Sequence, residues 1–296
     1  CALPILRRLP EEIVFIETDE RMVTYIACGK VNYQIVGMSS VEYPDLPSFE
    51  QTDRITLNAK ILRDMIRQTV YAVSENTAKP IYTGSLYEIE DGVFKIIAID
   101  GYRMAIRSEN VDSESKNRFV VPGKTQHEVL KLLTDDEENT EIIIGQRHIT
   151  FKIKNYRIIS RLIEGTFIEY KSAIPKETKT EVVINTRTII DAVERMSLLN
   201  NDRIQSPVRC IFSDDEIKLS CTSAVGRAND VISVPIIGES VEIGFNNRYL
   251  LDALKNADTD EIKLILNGSL TAMIVKPVKG DSYLSIVVPM RLANEN

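Results

Sequence analysis

The chain has 296 residues, of which 44% are hydrophobic and 27% charged, and its net charge is −7 at neutral pH. This length allows two or three domains with separate cores. No apolar run is long enough to cross a bilayer, and the first residues, without an initiator methionine or a signal peptide, resemble the interior of a longer chain. The acidic balance argues against nucleic acid, unless basic residues gather on one face. Four scattered cysteines predict reduced thiols in a cytoplasmic protein.

Residues 1–50 are predicted to contain a short amphipathic segment and two or three strands. The segment covers residues 3–9 and ends at Pro10, which cannot continue a helix with a normal hydrogen bond. Apolar runs separated by turn residues indicate strands at 13–17, 22–26 and 31–36.

Residues 51–175 are predicted to form a fuller unit of strands and two helices. Asn58 is a good N-cap, and apolar residues at helical spacing extend a helix from there to about residue 74. A second helix is expected over 124–133. Strands are expected at 54–57, around Tyr82, and at 94–99, 104–107, 141–144, 149–153 and 157–163.

Residues 176–296 are predicted to repeat this plan. Asn185 and Asn246 are candidate caps for helices ending near residues 199 and 256. The last strand should stop before Pro289, because proline has no N–H to donate to a sheet. Strands are expected at 181–184, 209–212, 217–221, 228–234, 241–245, 261–266, 270–275 and 283–288.

The similarity between the two units can be counted along the sequence. Asn58 and Asn185 lie 127 residues apart, and so do Pro80 and Pro207. The same offset relates two similar tripeptides that begin at residues 41 and 168. We therefore predict an α+β protein built from tandem copies of one mixed domain. The copies are 51–175 and 176–296, and 1–50 is the last part of another.

Motifs of catalysis, nucleotide binding and metal binding are missing from the sequence. There is no P-loop, no dinucleotide fingerprint and no nucleophile elbow. His127 and His148 have no histidine or cysteine at ligand spacing. Asp100 is better explained as a turn residue than as a catalytic acid. We predict no cofactor, no metal and no enzymatic activity; a hydrolase that uses Asp100 or the acidic run 135–138 is the alternative.

Three motifs carry a resemblance to a known family. They are D-G-Y-R-M at residues 100–104, G-F-N-N-R-Y-L-L at 244–251 and V-V-P-M-R-L at 287–292. Together they resemble the β subunit of bacterial DNA polymerase III, the sliding clamp, over almost the whole chain. The resemblance implies domains with sheets outside and two helices each lining a ring around duplex DNA. It also implies a processivity factor that tethers the replicative polymerase, the clamp loader and other proteins with a clamp-binding motif. The alternative is a peptide-binding scaffold that does not use DNA.

The resemblance implies one pocket for partner peptides, built from both units. On the sequence alone, a terminal strand that merely closes a core is the alternative. Tyr102, Ile99 and Ile168 depart from the residues that are frequent in the family. The implied pocket comprises Tyr82, Ile99, Gly101, Tyr102, Arg103, Met104, Ile168, Asn246, Tyr249, Leu270, Ala272, Ile286, Val287, Val288, Pro289, Met290, Arg291 and Leu292.

Basic residues recur on the predicted helices. Lys60, Arg63 and Arg67 share one face of the first helix, away from its apolar stripe. From composition these are ordinary solvated faces, whereas the resemblance implies contacts with DNA phosphates that carry no sequence information. The implied DNA-binding residues are Lys60, Arg63, Arg67, Lys79, Lys124, Lys131, Arg187, Arg195 and Arg203.

The resemblance also implies a homodimer that closes head to tail. Tyr33 and Ile35 of one copy would meet Leu198 and Leu199 of the other. The alternative is that these four residues belong to the cores of their own domains.

Overall fold

A computed structural model describes residues 2–10, 13–39, 41, 53–134, 138–199 and 206–292. It separates two compact units, residues 1–50 and 51–296. Arg203 and most of the acidic run 135–138 lie outside the described residues.

The first unit contains a short helix and an antiparallel sheet in the strand order β1-β2-β3. Asp19 fixes the turn after the first strand, since its carboxylate accepts hydrogen bonds from the backbone N–H groups of Arg21 and Val23. Ile26 and Cys28 are buried. The three predicted strands are present. The elements are α1 (Ala2–Leu6), β1 (Phe15–Thr18), β2 (Val23–Cys28) and β3 (Val31–Val36).

The second unit contains two copies of one arrangement, and the first copy has two four-stranded layers with two helices. One layer has the order β11-β10-β9-β4 and the other β7-β6-β5-β8. The elements are β4 (Asp53–Asn58), α2 (Ala59–Val70), β5 (Gly84–Glu90), β6 (Val93–Ile99), β7 (Arg103–Asn110), β8 (Asn117–Pro122), α3 (Gly123–Leu132), β9 (Asn139–Ile144), β10 (His148–Ile153) and β11 (Tyr156–Arg161).

The second copy has the same order of elements, with one additional strand that the sequence did not predict, β16. Its layers have the orders β20-β19-β18-β12 and β15-β14-β13-β17. The elements are β12 (Thr180–Asn185), α4 (Thr186–Ser197), β13 (Val208–Ser213), β14 (Glu216–Ser223), β15 (Gly226–Ser233), β16 (Ile236–Gly238), β17 (Val241–Phe245), α5 (Asn247–Lys255), β18 (Glu261–Leu266), β19 (Met273–Pro277) and β20 (Tyr283–Val287).

The two copies are joined by one strand pair, β7 with β20, which merges a layer from each copy into a nine-stranded sheet. Met104 lies opposite Ile286 in this pair. The layers of the two copies have matching strand orders, so each strand from β4 to β11 has a counterpart among β12 to β20. In this correspondence β7 matches β15, and β11 matches β20. The tandem α+β fold predicted from the sequence is confirmed.

The helices begin where the asparagines predicted them. The Asn58 side chain accepts hydrogen bonds from the N–H groups of Lys60 and Ile61, and Asn185 and Asn246 cap α4 and α5 in the same way. The apolar faces of α2 and α4 are buried against the sheets. Helix α2 packs on α3, and α4 packs on α5.

Two predicted strand positions are wrong. Tyr82 lies in a 3₁₀ helix, Pro80–Thr83, rather than a strand. Pro80 explains this, because its ring fixes φ near the helical value and it has no N–H for a sheet. Leu270 precedes β19 rather than starting it, since that strand begins at Met273.

Candidate functional site

The D-G-Y-R-M motif forms a tight turn between β6 and β7. The Asp100 carboxylate accepts hydrogen bonds from the backbone N–H groups of Tyr102 and Arg103, at 2.8 and 3.0 Å. Gly101 has φ = 95°, which favours glycine over residues with a side chain. The turn leaves Tyr102 60% exposed and stacks its ring on Tyr249 of α5, with centroids 5.8 Å apart.

Arg103 is a buried cation that connects the two copies. Its side chain is 6% exposed, and its Nε donates to Asp100 at 2.9 Å. Its Nη1 donates to Asp252 of α5, in the other copy. The guanidinium also lies over the ring of Tyr249, 4.5 Å from the centroid. Because the cation has two carboxylate partners, its burial is compensated.

A second polar cluster lies beside Arg103. The Tyr71 hydroxyl is 2.8 Å from the Ser285 hydroxyl and 3.0 Å from that of Tyr283, so α2 of one copy is bonded to β20 of the other. Burial raises the pKa of Tyr71 to about 12, and the phenol therefore remains neutral at physiological pH. The ring of Tyr71 also lies 5.4 Å from the Arg103 guanidinium.

Arg103 and the turn around it border a cavity of about 560 Å³ at the junction of the two copies. Apolar and aromatic side chains make up about half of its described lining, and polar or charged side chains make up the other half. Seven residues of the predicted pocket line it: Tyr82, Ile99, Gly101, Tyr102, Arg103, Ile168 and Tyr249.

A second hollow of about 480 Å³ contains the predicted residues of the C-terminal tail. Leu270, Met290, Arg291 and Leu292 line it together with residues of β17. The tail reaches β17 because the Val288 N–H donates to the Tyr102 carbonyl and the Met290 N–H to the Gly244 carbonyl, both at 2.8 Å.

Gly244 allows this close approach. A Cβ at this position would lie 2.6 Å from Leu292 Cδ2 and 3.1 Å from the Met290 carbonyl oxygen. The G-F-N motif thus has a packing reason for its glycine. The last strand was expected to stop before Pro289, and β20 ends at Val287; beyond it, one isolated antiparallel bridge pairs Met290 with Gly244.

Some predicted pocket residues belong to the core. Met104, Ile286 and Val287 are at most 3% exposed, because both faces of the sheet are covered here: Met104 and Ile286 pack in one core cluster, and Val287, on the opposite face of β20, packs in another. The expectation that Met104 lines a groove with Met290 is therefore wrong. The other four predicted residues line neither hollow: Val288 is 39% exposed, Pro289 and Ala272 are half-buried, and Asn246 caps α5.

The basic residues predicted to contact DNA differ in whether an acidic side chain pairs with them. Lys60 and Lys124 are exposed, and the described part of the chain holds no carboxylate within ion-pair distance of either. Arg63 is half-buried, and Lys79 lies 6.0 Å from the ring centroid of Tyr82. The remaining described cations have acidic partners: Arg67 with Asp64 and Asp258, Lys131 with Glu128, Arg187 with Asp191, and Arg195 with Asp230.

The residues predicted for the dimer joint are accessible to different degrees. In the second unit, Leu198 is 83% exposed after the end of α4, whereas Leu199 is half-buried against the core of its own copy. In the first unit, Tyr33 is 41% exposed, and Ile35 is half-buried on β3.

Two family models match the chain. They describe the central domain of the DNA polymerase III beta subunit, over residues 56–169, and its C-terminal domain, over residues 171–291. The chain belongs to this family. The fold is that of a beta-subunit family member.

Individual relatives of the beta-subunit family agree. The beta sliding clamps of Halalkalibacterium halodurans and Bacillus subtilis are each 32% identical, over 97% of this chain and 77% of the relative. The solved DNA polymerase sliding clamp of Bacillus subtilis matches with a TM-score of 0.94 at 31% identity, over 98% of this chain and 78% of that one. A putative DNA polymerase III beta subunit from Eubacterium rectale matches with a TM-score of 0.92 at 30% identity, over 97% of this chain and 78% of that one.

The sequence did not single out three residues of this site. Asp252 and Tyr71 were not predicted as site residues, and Gly244 was only part of a motif. Asp252 is 149 positions from its partner Arg103, so no local pattern could have paired them.

Among the described residues, no helix is long and apolar enough to span a membrane.

Proposed function

We propose that this protein is a sliding clamp that encircles duplex DNA and tethers the replicative polymerase through the pocket at the junction of the two copies. The observation that carries the proposal is the β7–β20 strand pair, which joins one copy to the next. Because the copies share one arrangement of strands, counterparts of β7 and β20 can form the same kind of pair again. The domain division at residues 50 and 175, and a cytoplasmic location, belong to this proposal.

Two edge strands of the sheets could form such a pair between two chains. Strand β15 is the counterpart of β7, and it is the end strand of its sheet. Strand β3 begins 125 residues before β11, close to the 127-residue offset of the repeat, which makes it a counterpart of β20, and it also ends its sheet. If β3 of one chain pairs with β15 of a second, the joint resembles the one within the chain. Used twice in a head-to-tail dimer, it closes a ring.

Leu198→Lys is expected to convert the dimer into a monomer. Leu198 is 83% exposed at the end of α4, a helix that contacts β15, so the lysine should not disturb the monomer, but a closed ring would meet the charge at both joints. Sedimentation equilibrium measures the change. Leu199→Lys should act in the same direction but also destabilise the core that Leu199 contacts. Ile237→Lys, at a side chain 71% exposed on β16, is the matched control and should remain dimeric. A dimer of unchanged affinity with Leu198→Lys would contradict the assigned joint.

The helices would face the duplex. Lys60 on α2 and Lys124 on α3 are exposed cations on helices that pack together. Contacts to phosphates carry no sequence information, which suits a protein that slides. The residues proposed for these contacts are Lys60, Arg63, Arg67, Lys79, Lys124, Lys131, Arg187, Arg195 and Arg203.

The junction cavity and the tail hollow would together form the pocket for a short apolar peptide of the polymerase, the clamp loader or another partner. Burying one leucine or phenylalanine side chain contributes about 1.5–3 kcal/mol. Two such anchors and a few hydrogen bonds give affinities near the micromolar range, about −8 kcal/mol. Topological linkage to DNA raises the effective concentration of partners, so a modest peptide affinity suffices. The role is one of tethering, without catalysis by the clamp itself.

The ion pairs of the helices favour one second candidate, a peptide-binding scaffold that does not use DNA. Arg67, Arg187 and Arg195 already have acidic partners, which reduces the positive charge available to phosphates. Retention on circular DNA distinguishes the two functions.

A further inference from the structure

The repeat places a second groove in the middle of the chain, at a position equivalent to the hollow that holds the tail. Two isolated bridges mark the equivalence, Gly244 with Met290 and Val120 with Ile163. Ile163 and Met290 lie 127 residues apart, the offset of the repeat. In each copy, the bridge ties the segment that follows the last strand to the strand that precedes the second helix.

The middle groove has a volume of about 400 Å³. Strand β8 forms one wall, the turn between β9 and β10 forms another, and the segment 162–167 forms the third. The tail hollow has the same three walls: β17, the loop between β18 and β19, and residues 290–292. The two grooves share no lining residue. The apolar lining of the middle groove is Leu86, Phe119, Val120, Leu162, Ile163 and Phe167.

Hydrogen bonds keep the walls of the middle groove together. The Ile163 N–H donates to the Val120 carbonyl, and the Leu162 N–H donates to the Arg147 carbonyl, both at 2.9 Å. Phe167 is 5% exposed and closes the floor. The groove is therefore part of the folded copy, like the tail hollow.

The middle groove is lined by two arginines, Arg118 and Arg147, and the tail hollow by one, Arg291. Arg147 is exposed on the β9–β10 turn, and the described residues place no carboxylate within ion-pair distance of it. Arg118 is 43% exposed and lies 3.9 Å from both Glu88 and Glu169, which is a loose pairing. Glu88 already accepts a hydrogen bond from the Tyr170 hydroxyl at 2.6 Å. Glu164 is the acidic residue among the lining side chains.

We propose that this groove is a second docking site, for an extended peptide of a partner protein that carries apolar side chains next to carboxylates. The apolar floor would take two side chains from the same face of the peptide, which lie two residues apart in an extended chain. Arg147 would bind a flanking carboxylate in a bidentate manner. Charge complementarity with the two arginines selects this occupant over a neutral peptide.

The test uses the whole chain and a fluorescein-labelled acidic peptide of sequence DLELFD, with binding followed by fluorescence anisotropy. Arg147→Glu is expected to weaken binding by roughly tenfold or more, because a charge-assisted pair becomes a repulsion. Arg157→Glu is the matched control, since Arg157 is exposed on β11 and does not line the groove. It should bind as the parent does. The amide analogue NLQLFN should bind more weakly than DLELFD.

Met290→Ala separates the two sites, because Met290 lines only the tail hollow. Unchanged binding of DLELFD to Met290→Ala, with loss in Arg147→Glu, supports the middle groove. Loss in Met290→Ala with no effect of Arg147→Glu would show that the probe occupies the tail hollow and would overturn the proposal. The absence of saturable binding below about 1 mM would overturn it as well. The pocket of the proposed function is tested separately, with a polymerase-derived peptide.

Discussion

Arg103→Met is expected to lower the free energy of unfolding of the 51–296 unit by about 3–5 kcal/mol, the cost of breaking a buried ion pair. The substitution leaves Asp100, 10% exposed, and Asp252, 32% exposed, without their cation. It also removes the contact between the guanidinium and the ring of Tyr249. Since the two carboxylates belong to different copies, the junction should loosen and the affinity for a polymerase-derived peptide should fall. Urea unfolding and fluorescence anisotropy measure the two effects.

Two further variants separate charge from geometry at Arg103. Arg103→Lys keeps the charge but loses the planar fork that reaches both carboxylates, so its loss of stability should be intermediate. Asp252→Asn removes the Arg103–Asp252 ion pair between the copies but keeps the Arg103–Asp100 ion pair within the turn. In a double-mutant cycle, Arg103→Met and Asp252→Asn should be strongly non-additive. Additive effects, or full stability of Arg103→Met, would contradict the role of Arg103 as the link between the copies.

Deletion of residues 290–296 is expected to reduce the affinity for a polymerase-derived peptide at least tenfold, about 1.4 kcal/mol. Met290 and Leu292 line the tail hollow, and their loss removes its apolar wall. The deletion also removes the hydrogen bond from the Met290 N–H to the Gly244 carbonyl, worth about 1 kcal/mol. The thermal midpoint should therefore fall by only roughly 2–4 °C, and the dimer should persist.

Gly244→Ala tests the same wall in a chain of full length. The new Cβ would lie 2.6 Å from Leu292 Cδ2, so the leucine must leave its position while the rest of the fold remains. The peptide affinity should fall in this variant, with a thermal transition close to that of the parent. If the truncated protein unfolds at ordinary temperature, or if both variants bind the peptide as the parent does, the tail is not part of the pocket.

The local features of the fold were predictable from the sequence. Asn58, Asn185 and Asn246 begin helices because their side chains satisfy N–H groups that have no partner inside the helix. The 127-residue offset was sufficient to predict tandem copies, because each copy repeats the same order of strand and helix signals. Tyr82 was misplaced because the apolar residues beside it suggest a strand, whereas Pro80 starts a 3₁₀ helix.

The candidate site was predictable in its location but not in its detail. The motifs identified the turn at 100–104 and the tail, yet the register of β7 on β20 decides that Met104 and Ile286 are buried while Val288 is exposed. This register depends on pairing between residues more than 170 positions apart. Ion pairs between distant residues could not be predicted for the same reason. The sequence shows Arg67 as a basic residue but cannot show that Asp258 pairs with it.

Retention on DNA circles is the measurement that tests the proposed clamp function most directly. The protein is assembled with a clamp loader on a nicked circular plasmid and separated from free protein by gel filtration, before and after the plasmid is cut once. A ring held by topology and by weak phosphate contacts should elute with the circle and slide off the linear form. Equal retention on circular and linear DNA, or no retention on either while the pocket still binds its peptide, would contradict the proposed function.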